Sequence, residues 1–150
     1  MNIKRVAACL AAAGLLVSFP VSAGSFSQAE KLRKLDIMLM VTGLRCRNTS
    51  DNFNSEYGRF TTNHLSELNA AAATMKQEMS VRYGAAGANR ALDRLSTQMA
   101  NQYGQGHPWL NCGQLKQVAG SLADLRGVES LQAAADDLLD ERSHRLAWLR

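Results

Sequence analysis

Ser27 to Arg47 reads Ser-Gln-Ala-Glu-Lys-Leu-Arg-Lys-Leu-Asp-Ile-Met-Leu-Met-Val-Thr-Gly-Leu-Arg-Cys-Arg. Leu32, Leu35, Leu39, Thr42 and Cys46 recur at alternating three- and four-residue spacing, which places them on one helical face. Ile37, Met38, Met40 and Val41 make the middle of the segment apolar all round. A helix of that kind is buried on several sides, so this one is predicted to stand at the centre of the fold. Ser27 with Glu30 has the spacing of a capping box, and Arg45 and Arg47 place favourable basic charge at the other end.

Toward the N-terminus the chain changes character. Lys4 and Arg5 precede an apolar run from Val6 to Val17, Phe19-Pro20 breaks it, and Val21-Ser22-Ala23 supplies small residues. This is the pattern of a secretory signal, so residues 1–23 are expected to be removed and the protein to reside in the periplasm or outside the cell. The run is shorter than the roughly 20 apolar residues that span a bilayer, and no membrane span is expected after cleavage. Cys9 stands at the start of the run, where lipidation is not expected. Residues 24–150 are then a single helical domain with room for a substantial core. Loss of Lys4 and Arg5 leaves fifteen basic against thirteen acidic residues, a net +2. That balance gives no reason to expect nucleic acid or an anionic membrane as partner. Asp136, Asp137, Asp140 and Glu141 near the end are read as a solvated helix face.

Beyond the central segment, Asn48 to Asn52 forms a polar turn of residues that bond locally to backbone. Phe53, Tyr57, Phe60, His64, Leu68, Ala72, Met75, Met79 and Tyr83 then keep helical spacing. They predict one long second helix, with Gly58 or Thr61-Thr62 as places for a bend and Gly84 as its C-terminal stop. A third helix is expected from about Gly87 to Tyr103, a fourth from Asn111 through Leu125, and a fifth after Gly127 carrying Leu131, Ala135, Leu138 and Leu139. Leu146, Trp148 and Leu149 could dock beyond it. No sustained two-residue alternation signals a strand. The fold class is therefore all-α, a compact bundle of four to five helices.

Between the third and fourth helices lies the densest chemistry, Met99 to Gln114, with Tyr103, His107, Pro108, Trp109 and Cys112. Cys46 and Cys112 are the two cysteines left after processing, and in an exported chain an even pair reads as one inter-helix disulfide. It would pin the end of the first helix to the start of the fourth and stabilise the fold by roughly 4 kcal/mol on a chain-entropy account. The competing reading makes Cys112 a reactive thiol in a helix's first turn, behind an Asn111–Gln114 capping box. Without a Cys-x-x-Cys pair, the disulfide is favoured.

Catalytic motifs are missing. Gly104-x-Gly106 and Gly84-x-x-Gly87 follow no strand and complete no phosphate or dinucleotide fingerprint. His64, His107 and His144 are too far apart in sequence to suggest a metal, and His64 lies on an apolar stripe where a hydrogen-bonded core histidine is expected. A haem held by Met38 or Met40 with His144 is compatible with the composition but nothing singles it out, and no cofactor is expected. Arg45, Arg47, Tyr103, His107 and Trp109 are the candidate binding patch, since aromatic and Arg side chains dominate recognition surfaces. The bland counterpart is a packed corner in which Trp109 covers the disulfide. The expected function is a binding or structural module acting on a periplasmic protein or small ligand. The alternative is a small hydrolase or transferase with its site at the His107 loop.

Leu35 to Val41 followed by Leu44-Arg45-Cys46-Arg47, Tyr57-x-x-Phe60, Tyr83-Gly84, Asn89 to Asp93 and Met99 to Cys112 resemble a small family of exported alphaproteobacterial helical proteins of sphingomonad type. The resemblance spans most of the chain after residue 23 and implies no activity. Members often carry the label S-adenosyl-L-homocysteine hydrolase. This chain departs from that enzyme in its shortness, its lack of a Rossmann glycine motif and its expected export away from NAD, so no catalytic residue transfers.

Overall fold

The computed structural model describes residues 23–140, and these form five helices and no strand. Residues 1–22, which make up all but the last residue of the expected signal segment, lie outside the described residues, as do His144 and the tail from Arg142 to Arg150. Helix α1, Ala23–Cys46, packs on each of the other four. Leu32, Leu35, Ile37, Met38, Leu39, Thr42 and Cys46 are all buried. Helical hydrogen bonding extends past the capping-box pair to Ala23, so Ser27 lies within the helix and is exposed. The all-round burial expected of the middle also needs correction, because Met40 and Leu44 face solvent. The fully buried Phe53 lies against α1 at Gly43, where a Cβ would touch its ring and the Asn54 side chain at 3.4 Å without a clash.

The predicted long second helix is instead two. Helix α2 spans Asn54–Asn63 and α3 spans Leu65–Tyr103, with His64 between them at φ −112°, ψ 22°. Gly58 does not bend α2; the hydroxyls of Thr61 and Thr62 both donate to its carbonyl. The break at His64 sets side-chain donors against the end of α4, Cys112–Asp124. There the Leu122 carbonyl already accepts from the Leu125 N–H at 3.2 Å. His64 Nε2–H donates to the Leu122 carbonyl at 2.7 Å and Asn63 Nδ2 donates to that of Ala123 at 2.8 Å.

Within α3, Gly84 has φ +72° and ψ 163°, which divides the element into two arms. Ala72 and Ser96 line one cleft, although a straight helix would hold them about 36 Å apart. The arms therefore fold back on each other, with Met79 packed against Ala88 and Ala91. The stop expected at Tyr83-Gly84 is present as this reversal. Helix α4 opens on the predicted capping box: Asn111 Oδ1 accepts from the Gln114 N–H, and Gln114 Oε1 accepts from the Asn111 N–H. Helix α5, Val128–Leu139, follows Gly127 at φ +84°. Phe53, Phe60, Leu35, Met38, Leu115 and Leu131 fill one continuous core.

Among the described residues, no helix is long and apolar enough to cross a membrane. Cys46 and Cys112 form the disulfide, with Cα atoms 5.7 Å apart. It joins the last residue of α1 to the first of α4.

Candidate functional site

The junction beside the disulfide is assembled from ring contacts. Tyr103 ends α3 and is buried, and its ring stacks on that of His107 at 5.8 Å. His107 is buried too and meets the half-buried Trp109 edge-on at 4.6 Å. The backbone N–H of Trp109 turns back toward His107 Nδ1 at 3.5 Å. On the outer side, Lys34 Nζ lies 5.9 Å from the centre of the Tyr103 ring. Arg45 is spent on the same corner: its guanidinium donates to the Gly104 carbonyl at 2.9 Å. Arg47 stands one residue past the disulfide and is exposed, while its carbonyl accepts from Asn52 Nδ2 in the polar turn. Of the five patch residues, four converge in one corner and Arg47 belongs to the adjoining turn. Two of the three aromatic rings face inward. The surface left for a partner is Arg45, Arg47, Pro108 and part of Trp109.

A second cluster joins α1 to α2. Tyr57 donates to Asp36 Oδ1 at 2.9 Å, and Arg33 lies 3.5 Å from Oδ2. Burial pushes the Asp36 carboxyl above its usual range, against the opposing pull of Tyr57 and Arg33. Burial first, and then the Asp36 charge, push the Tyr57 phenol upward. Perturbed groups of this kind mark functional sites only when they face a cleft. Here the carboxylate is taken up by its own bundle partners.

A cleft of about 820 Å³ opens between α1, α3 and α5. Ala29 and Leu32 from α1, Ala70 and Ala71 from α3, and Val128 from α5 form its apolar wall. Val128 is 43% exposed, a large apolar side chain left facing the opening. Alanines at three of these positions keep the floor low, which is why a groove exists where three helices meet. Gln28, Ser66, Glu67, Thr74 and Gln132 bring polar atoms to it. Gln28 sits one turn before Leu32, and Ser66 and Glu67 occupy the first turn of α3 immediately after the His64 break. Ser66 Oγ donates to Glu67 Oε2, and Glu67 Oε1 lies 3.8 Å from His64 Nδ1. The Ser66 hydroxyl, backbone hydrogen bonding and His64 hold the Glu67 carboxyl below its ordinary range.

The sequence reading passed over Gln28 and Glu67. The apolar stripe Leu32-Leu35-Leu39 could have pointed to Gln28 as its polar neighbour, but Glu67 became visible only once α3 was seen to begin at Leu65. Among the described residues, no group of three or more His, Cys, Asp or Glu converges as metal ligands would. In comparisons with known proteins, no family model, no curated protein and no solved structure matches this chain.

Proposed function

We propose that this protein is an exported binding module whose ligand seat is the groove between α1, α3 and α5. The observation that carries the reading is the groove itself: an apolar wall with a small number of polar atoms at its edge. Ligand sites are characteristically concave, mostly apolar and oriented by a few polar groups. The aromatic corner around His107 supports the reading from the other side, because its rings are largely engaged with each other and with the chain. Export rests on the basic start, the apolar run and the small residues at Val21 to Ala23. A periplasmic protein or a small molecule would both fit a module of this size.

The test uses Ala70→Trp, since Ala70 is exposed on α3 and a large ring there fills the groove without entering the core. Protein recovered gently from periplasm is examined by native mass spectrometry. Wild type is expected to carry a bound species that Ala70→Trp lacks and that Trp109→Ala keeps. The reverse pattern, loss with Trp109→Ala alone, would move the seat to the junction patch. Recovery of the same unliganded mass from all three proteins, together with unchanged groove amide exchange in periplasmic extract, would refute the reading.

A further inference from the structure

Resting on the groove as the ligand seat, we propose that its occupant is a small amphiphile with an apolar chain and a primary ammonium head. Charge and hydrogen-bonding capacity in the groove decide the head group. Among the described residues, Gln28 Oε1 is buried with no hydrogen-bond partner, and a buried amide oxygen ordinarily has one. The Ser66 hydroxyl proton is committed to Glu67, and the Thr74 hydroxyl donates to the Ala70 carbonyl at 3.0 Å. Both hydroxyls therefore present lone pairs rather than protons to an incoming group. Glu67 is the one charged side chain lining the groove among the described residues, and it is an acid. It sits in the first turn of α3, where the aligned peptide dipoles favour the carboxylate.

The groove is thus negative at one edge, with the Gln28 oxygen as an acceptor left without a partner and the Gln28 and Gln132 amide N–H groups as its side-chain donors. A carboxylate or phosphate head would meet Glu67 without a cation to offset it. A quaternary ammonium would satisfy the charge and leave Gln28 Oε1 without a donor. A primary ammonium answers both, with three N–H donors on one positive centre. The apolar wall of Ala29, Leu32, Ala71 and Val128 takes the chain.

Isothermal titration of the folded, disulfide-bonded protein with decylammonium, decyltrimethylammonium and decanoate, all below their micelle concentrations, tests this. Decylammonium should bind with one-to-one stoichiometry, several-fold more tightly than decyltrimethylammonium and at least about tenfold more tightly than decanoate. Glu67→Gln should weaken decylammonium about tenfold, while Glu129→Gln, which removes an exposed acid outside the groove, should change nothing. Gln28→Leu should erase the difference between the two ammonium probes and keep the one against decanoate. Decanoate binding as well as decylammonium, or indifference to Glu67→Gln, overturns the ammonium assignment. If Ala70→Trp then abolishes binding of every probe, the groove still stands as a ligand seat. Decylammonium binding unaffected by Ala70→Trp overturns both readings, since the probe then sits elsewhere. Absence of binding by all three probes overturns the ammonium inference alone; the seat itself is judged by the mass spectrometry above.

Discussion

At the scale of single residues, the half-buried Asp36 and the buried His64 contribute to the fold in different ways. Asp36 holds its proton more tightly in the fold than in the unfolded chain, because burial raises its pKa. Its favourable contribution is therefore complete below the unfolded value and is lost as pH rises through the folded one. Asp36→Asn keeps an oxygen for the Tyr57 hydroxyl and removes the charge, at the expense of the Arg33 contact. We expect the variant within about 1 kcal/mol of wild type near pH 7, with wild type gaining on it as pH falls toward about 4. Paired thermal melts across that range measure the difference directly; parallel curves would mean that Asp36 is not desolvated by the fold. His64 presents the other case. Its Nε2–H donates to the Leu122 carbonyl, which also accepts from the Leu125 N–H, so His64→Leu adds apolar burial and removes one of two donors to that oxygen. Loss of that buried hydrogen bond costs about 0.5–1.5 kcal/mol. Urea unfolding should show that loss, and a variant as stable as wild type would show that water replaces the imidazole.

At the scale of elements, the sequence disclosed most where a local chemical signal and the periodic pattern agreed. Asn111 and Gln114 announced the start of α4, and Gly127 the start of α5, because caps and positive-φ glycines act within a few residues. The split between α2 and α3 was illegible for a physical reason. Phe60, His64 and Leu68 keep helical spacing straight through it, while the contacts made at the break are with the end of α4, nearly 60 residues away in sequence. The groove was only half legible: Ala70 to Ala73 offers a small-residue surface suited to close approach of another helix, and it becomes a cleft only where three helices converge. Gly84 was legible as a stop but not as a reversal. Its φ and ψ lie where only glycine is comfortable, and a Cβ there would meet nothing within 4 Å. Gly84→Ala therefore tests backbone strain free of steric clash. A loss of about 1–3 kcal/mol is expected, with faster amide exchange concentrated at Met79, Ala88 and Ala91. An effect under about 0.5 kcal/mol would mean that the arms meet without that left-handed turn.

At the scale of the whole molecule, α1 touches every other helix, yet much of the chain reaches it through long connections. Helix α4 in particular is held at both ends by groups distant in sequence. Its first residue is bonded to Cys46, and its last carbonyls are bonded to Asn63 and His64. The disulfide closes a separation of 66 residues that encloses α2 and both arms of α3. On the chain-entropy account a loop of that length is worth roughly 4 kcal/mol. A single buried hydrogen bond contributes about 1 kcal/mol, so the bridge outweighs either tie at the far end. Cys46→Ser or Cys112→Ser should accordingly lower stability by about 2–5 kcal/mol. The loss should appear first at the junction, as faster exchange through Tyr103 to Trp109, where Gly104 and Gly106 add no stiffness. The backbone N–H groups of the last turn of α4 should remain protected until global unfolding, because Asn63 and His64 hold that end independently. Cys46→Ser combined with His64→Leu should then cost more than the two separate losses together, since α4 would be freed at its start and tied at its far end by Asn63 alone among these side chains. Additive losses in denaturant titrations would instead mean that α4 stays in place through its apolar face, Leu115, Ala119 and Leu122, without either anchor.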